Sequence, residues 1–131
     1  MLRQVLGSGL LAATVLATLP AHADNRSRVT AYVLSDGTFE VVADFTEDSL
    51  YWCGAYLAAS RAAAAGTQRI YVLQGVAPSR SVPGKPAVRF GLTPPPQGAA
   101  SGGFSNSVEL IGNSLTLVQA EQTCRERSAS G

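Results

Sequence analysis

Histidine is almost absent from this sequence of 131 residues, and its scarcity excludes several classes of enzyme. The only histidine is His22. It lies inside a segment with the features of a removable export signal, so the remaining chain would contain none. A chain without histidine cannot build a Ser-His-Asp or Cys-His hydrolase, an HExxH metalloprotease, or a zinc or haem site with histidine ligands. Carboxylates, arginines, one lysine, tyrosines and serines remain for chemistry.

Long hydrophobic runs are also missing, because the most apolar stretch covers only residues 5–19 and contains two glycines. A membrane span needs about 20 mostly apolar residues. Arg3 precedes the run, and small residues ending at Ala23 follow it, as at a signal-peptidase site. We therefore expect residues 1–23 to be a secretory signal cleaved after Ala23. Residues 24–131 would then form one small domain without a membrane span, periplasmic or secreted from a bacterium.

Cysteine occurs only twice, at Cys53 and Cys124, and no Cys-x-x-Cys pair is present. In an oxidising compartment these two cysteines are expected to form a disulfide. The bond would close a loop of 72 residues, for which the chain-entropy model gives a stabilisation of about 4.4 kcal/mol. Cysteines bonded to each other leave no thiolate ligand, so neither a metal site nor a cofactor is expected.

Charged residues make up only 15% of the chain, and they are unevenly distributed. Residues 24–48 hold six acids and two bases, whereas residues 49–108 hold five bases and no acid. The candidate anion-binding residues are Arg80, Lys85 and Arg89. They suggest an anionic glycan or an envelope protein as partner. Nucleic acid is not expected, because export would separate the protein from it and residues 24–131, with nine bases and nine acids, carry no net charge.

The same cations have a competing, purely structural interpretation. Arg69 and Arg89 fall on outward positions of predicted strands, where they can pair with Glu40 or Asp44 of a neighbouring strand. Such exposed pairs contribute only about 0–1 kcal/mol. In that case the acid-free stretch is an ordinary solvated face.

A cluster of acids defines the alternative function, a small histidine-free hydrolase that uses carboxylates. Glu40 and Asp44 are expected on the solvated face of a strand, and Glu47 and Asp48 in the first turn of a helix. Their spacing matches no calcium loop, and no catalytic residue is assigned. An enzyme of this kind should show a deep pocket that holds a carboxylate of raised pKa.

Residues 29–34, which are rich in β-branched and aromatic side chains, and residues 39–45, which alternate between apolar and polar, are predicted to form strands joined by a turn at Asp36-Gly37. The side chains of the second strand that should face the core are Phe39, Val41, Ala43 and Phe45. Further strands are predicted over residues 69–74, 87–93 and 107–111. A loop rich in proline and glycine follows the fourth of these strands, over residues 94–103.

An alanine-rich helix is predicted between Thr46, as its N-cap, and about Ala65, with Gly66 as the stop signal. One broad face of this helix should be buried. Its aromatic residues Trp52 and Tyr56, together with Tyr51, suggest either core packing, which we expect for two of the three, or an aromatic sugar platform.

The end of the chain permits two structures. Residues 115–118 are compatible with a strand, but Thr116 and Gln119 have the spacing of a capping box, which favours a short helix over residues 117–125. This helix would bring Cys124 back to Cys53. The expected fold is therefore α+β: a mostly antiparallel sheet of about five strands, one long alanine-rich helix packed on it, a short C-terminal helix and one disulfide.

Several short segments resemble a group of exported proteins. The segments are FEVV at 39–42, WC at 52–53, RIYV at 69–72, FGLT at 90–93, and LT at 115–116 ahead of Cys124. They are similar to short exported proteins of alphaproteobacteria, a group without catalytic residues to transfer. The resemblance implies this fold and export only. The function expected from the sequence is a non-catalytic binding or accessory protein, such as an envelope-enzyme inhibitor or an anion or glycan binder.

Overall fold

The computed structural model describes residues 24–62, 64–101 and 105–126. The predicted signal, residues 1–23, lies outside the described residues. Within them, no helix is long and apolar enough to cross a membrane. A 3-10 turn (Asn25–Arg28) precedes the elements β1 (Val29–Val33), β2 (Phe39–Ala43), α1 (Asp48–Arg61), β3 (Arg69–Pro78), β4 (Pro86–Gly91), β5 (Ser114–Thr116) and α2 (Leu117–Arg125).

The strands form one antiparallel sheet in the order β1-β2-β4-β3-β5. The predicted hairpin between β1 and β2 is present, and Gly37 supplies the φ of 85° that its turn requires. Because β3 continues as far as Pro78, only residues 79–85 connect it to β4. We call this connection the 79–85 loop. The predicted α+β fold of five strands and two helices is confirmed.

Helix α1 packs closely on the sheet because small residues line the contact. Ala55, Ala58 and Ala59 are buried. Gly54 lies so near β2 that a Cβ at this position would overlap the side chain of Val41. The other sheet face, which carries the residues that alternate with the core positions, has no helix packed on it within the described residues.

The aromatic residues of α1 belong mainly to the core. Tyr51 and Trp52 are fully buried. The ring of Trp52 lies 4.9 Å from that of Phe90 between centroids, and its Nε1 donates a hydrogen bond to the carbonyl of Asn106 at 2.7 Å. Tyr56 is half-buried. Core packing of two of the three aromatics is therefore confirmed, and a sugar platform built from them is excluded.

The predicted disulfide joins Cys53 of α1 to Cys124 of α2, and both residues are fully buried. Helix α2 has the predicted bounds because its start is fixed locally. The Thr116 hydroxyl accepts the N–H of Gln119 at 3.1 Å, and the Gln119 side chain accepts the N–H of Thr116 at 2.8 Å. This capping box satisfies two backbone donors at the helix start.

The fifth strand lies later in the chain than predicted. Residues 107–111 contain no strand, since 108–110 are bends and 111 begins a turn, and β5 is Ser114–Thr116. The polar groups of Glu109 make other hydrogen bonds: its N–H donates to the nearby Ser107 hydroxyl at 3.2 Å, and its carboxylate accepts the N–H of Val76 on β3 at 3.2 Å. These bonds replace the ladder that a strand would need.

The predicted bounds of α1 are too wide. The helix begins at Asp48 with Glu47, not Thr46, as its N-cap, because the backbone of Glu47 is still extended. It ends at Arg61, well before Gly66, and the N–H of Ala62 closes the last turn. The expectation that the helix runs to Ala65 is therefore wrong.

The predicted orientations of two side chains, Phe45 toward the core and Glu40 toward water, are also wrong. Phe45 is 41% exposed because the strand has already ended at Ala43. Glu40, predicted to face water, is only 4% exposed. Its surroundings on the helix-free face of the sheet define the first candidate site.

Candidate functional site

The carboxylate of Glu40 binds three groups of the 79–85 loop. Its two oxygens accept the Ser79 hydroxyl at 2.7 Å, the backbone N–H of Arg80 at 2.8 Å and the backbone N–H of Ser81 at 2.9 Å. The Ser79 hydroxyl oxygen also accepts the N–H groups of Ser81 and Val82. We call this arrangement the Glu40 clamp. It fastens the loop to the middle of a strand that is distant in sequence.

The clamp keeps Glu40 ionised. Burial acts against the charged form and raises the pKa of this carboxyl, but the N–H of Arg80, the Ser79 hydroxyl and the donors of Ser81 outweigh it. Together they lower the pKa of Glu40 to about 2. At neutral pH the loop is therefore held by charge-assisted hydrogen bonds.

The structure brings the three predicted anion-binding residues to the region of the clamp. Arg80 and Lys85 are both exposed and lie at the base of the loop, where the N–H of Ser79 donates to the carbonyl of Lys85 at 2.8 Å. Arg89 lies on β4 directly opposite Glu40. We call Arg80, Lys85 and Arg89 the cationic surface.

The expected strand pairing does not occur. Within the described residues, no salt bridge joins Glu40 or Asp44 to Arg69 or Arg89. Glu40 is taken by the loop, and β4 separates Arg69 on β3 from the acids of β2. The Nε of Arg89 is buried without a hydrogen-bond partner among the described residues.

One acid nevertheless reduces the charge of the cationic surface. The hydroxyl and the backbone N–H of Thr38 lower the pKa of Asp36, and the nearby charge of Arg89 lowers it further. Two ionised carboxylates, Asp36 and Glu40, therefore accompany the three cations. The surface is less positive than the acid-free stretch of sequence suggests.

A second candidate site is a cavity of about 470 Å³ at the edge of the sheet where β5 pairs with β3. Its floor is formed by Arg69 and Tyr71 of β3 and Ser114 of β5, and one wall by residues 99–101. Further polar lining comes from Ser105, Asn113 and Gln119. We call it the Arg69 cavity. No local sequence motif predicts the Arg69 cavity, because the residues that line it come from segments far apart in the chain.

Among the acids that define the hydrolase alternative, Glu40 is held by the clamp, whereas Asp48 lies at the start of α1. Burial raises the pKa of Asp48, and the charges of Glu109 and Glu47 add to this, although the N–H of Val108 opposes it. A raised pKa is a feature expected of a catalytic acid. A shallower hollow lies beside Lys85 and is lined by residues 76–78 and 84–86. Asp48 lines neither this hollow nor the Arg69 cavity, and no carboxylate lines either of them.

The described residues include no group of three histidines, cysteines or acids that is placed to hold a metal ion. Comparisons with protein-family models, with curated proteins and with solved structures gave no match. The function of the chain must therefore be inferred from the cationic surface and the Arg69 cavity themselves.

Proposed function

We propose that this protein is a small exported, non-catalytic binding or accessory domain whose cationic surface recognises an anionic partner such as an anionic glycan. The observation that carries this proposal is the Glu40 clamp. Because the clamp fixes the backbone of the 79–85 loop, Arg80 and Lys85 are presented from a loop of defined shape. A preformed loop loses less conformational entropy when it binds.

The charges support electrostatic attraction of moderate strength. Arg80 and Lys85 are exposed, whereas the clamp holds Glu40 inside the sheet and loop. Exposed charges are screened over about 8 Å at physiological ionic strength. Binding should therefore be weak and should fall steeply as salt increases.

Retention on a heparin column at low salt and neutral pH tests the proposal. The wild-type protein should be retained, and Arg80→Glu with Lys85→Glu should abolish retention. The control is Arg61→Glu with Arg125→Glu, which changes the net charge equally at two exposed helix ends. This control variant should still bind. Passage of the wild-type protein without retention, or equal loss in both double variants, overturns the proposal.

Export is a separate part of the proposal. It is supported by the features of residues 1–23 and by the disulfide, which is consistent with an oxidising compartment. Intact mass of protein recovered from the periplasm of a bacterial host should correspond to a chain that begins at Asp24. Alkylation of the unfolded, unreduced protein should add no mass. A retained signal or two alkylated thiols contradicts export to an oxidising compartment.

A further inference from the structure

We propose that the Arg69 cavity binds a small sugar that carries a carboxylate, with the guanidinium of Arg69 on the carboxylate. This proposal does not depend on the cationic surface, which lies around a different loop. The volume of about 470 Å³ lies within the range of about 300–1,000 Å³ that is typical of small-molecule sites.

The guanidinium of Arg69 has N–H groups that remain available to a ligand. Its Nη1 donates to the Ser114 hydroxyl at 3.0 Å, and this bond fixes its position beside the cavity floor. Among the described residues, no carboxylate lies within salt-bridge distance of it. An arginine with free N–H groups matches the two oxygens of a carboxylate in a bidentate geometry. The charge of the cavity therefore favours a single anionic group.

The rest of the lining favours a ligand rich in hydroxyl groups. The Asn113 amide nitrogen is occupied by the carbonyls of Ser105 and Ser107, at 2.9 Å and 2.8 Å, so its oxygen is left as an acceptor. The hydroxyl of Tyr71 and the amide nitrogen of Gln119 have no partner among the described residues. Donors and acceptors beside an aromatic ring suit a sugar better than a bare inorganic anion.

The wall opposite the sheet is built to a fixed position. The N–H of Ala100 donates to the carbonyl of Gly112 at 2.9 Å, and the N–H of Gly112 donates to the carbonyl of Val72 at 2.8 Å. Gly112 has a φ of 87°, and a Cβ there would lie 2.6 Å from the carbonyl oxygen of Gly98. Only glycine tolerates both this positive φ and this short distance. The wall therefore has a fixed position on the sheet in the absence of a ligand.

Titration of the ¹⁵N-labelled protein, followed by amide NMR shifts, tests the proposal with D-glucuronate as the probe and with D-glucose and acetate as controls. Glucuronate should shift the amides around the cavity with a dissociation constant in the millimolar range. Glucose lacks the carboxylate and acetate lacks the hydroxyl groups, so each should bind at least about tenfold more weakly. No shift at the cavity, or equal shifts with glucose, overturns the proposal.

Variants locate the binding. Arg69→Gln should weaken glucuronate binding by about tenfold or more, whereas Arg61→Gln, the same change at the exposed end of α1, should not. If Arg69→Gln disturbs the fold, Tyr71→Phe removes a single hydroxyl of the lining and should still weaken binding. Equal weakening by Arg61→Gln would mean that the attraction is not specific to the cavity, and would refute the proposal.

Two further measurements separate related possibilities. Arg80→Glu with Lys85→Glu should bind glucuronate like the wild-type protein even if it no longer binds heparin, so failure of the cavity and failure of the cationic surface are distinguishable. The methyl glycoside of glucuronate imitates a unit of a polysaccharide. Equal binding of the glycoside means that the cavity accepts the end unit of a chain, and selective binding of the free sugar excludes such an end unit.

Discussion

Glu40 and Arg89 stand directly opposite each other on β2 and β4, yet they form no ion pair. The carboxylate of Glu40 instead accepts three hydrogen bonds from the 79–85 loop, which lies about 40 positions later in the chain. Hydrogen bonds to a charged group are worth about 1.5–3 kcal/mol each, more than an exposed pair with arginine. Glu40 therefore determines the shape of the loop that presents the cations.

Replacement of Glu40 by glutamine should destabilise the protein. The amide keeps one acceptor oxygen but points an NH₂ group at the donors of the loop, so at least one N–H is left without an acceptor. We expect the free energy of unfolding in urea to fall by about 1–3 kcal/mol. Asp44→Asn is the control, because Asp44 is exposed on the same chain segment; it should change the free energy by less than about 0.5 kcal/mol. Equal effects of the two variants would argue against the clamp.

The clamp also predicts how stability depends on pH. The pKa of Glu40 is about 2 in the folded protein, below the ordinary value of 4.5. A lowered folded-state pKa stabilises the protein fully above the unfolded value, and this contribution is lost as the pH falls through the folded value. The difference in unfolding free energy between wild type and Glu40→Gln should therefore be constant above pH 4.5 and shrink between about 4.5 and 2. A difference that does not change with pH would contradict an ionised Glu40.

Several features that were predicted correctly from the sequence depend on neighbouring residues. The capping box of Thr116 and Gln119 lies within one helical turn, and α2 has the expected bounds. The turn at Gly37 likewise depends on a local φ. Alternation along β2 correctly separated Glu40 from the core face occupied by Val41.

Other errors, apart from the bounds of α1 and β2, concern contacts made across the fold. Alternation of apolar and polar residues predicts which face of the sheet Glu40 occupies. Whether solvent reaches Glu40 on that face depends on the 79–85 loop, which contacts it. The Arg69 cavity has the same origin, because its floor and its wall are joined through Gly112, far from Arg69 in sequence. Residues 107–111 had strand-like composition, but the polar groups around Glu109 find partners that no local pattern predicts.

The burial of Trp52 predicts the largest effect of a single side chain. Its ring is fully enclosed against Phe90, and its Nε1 is bonded to the Asn106 carbonyl. Trp52→Ala should lower the free energy of unfolding by about 3–5 kcal/mol, because it removes apolar contacts and leaves a cavity. Val118→Ala serves as the control, since Val118 is 54% exposed. A loss below about 1 kcal/mol for Trp52→Ala in urea unfolding would contradict its position in the core.

The disulfide should be the main tie between the two helices. Cys53 lies in the middle of α1 and Cys124 near the end of α2, with Cα atoms 4.7 Å apart. Joining them restricts the unfolded chain, and loss of such a bond costs about 2–5 kcal/mol. The double variant Cys53→Ala with Cys124→Ala should therefore unfold at lower urea concentration, by an amount that agrees with reduction of the wild-type protein.

Hydrogen exchange should show where this loss acts. Since α2 is anchored at its start by the capping box and near its end by the disulfide, the amides close to Cys124 should exchange faster in the double variant, and those of β2 and β4 should change least. Dithiothreitol is the control reagent, because it should lower the unfolding midpoint of the wild type and leave that of the double variant unchanged. An unchanged wild-type midpoint after complete reduction would mean that packing of α2 on α1, and not the covalent bond, holds the end of the chain in place.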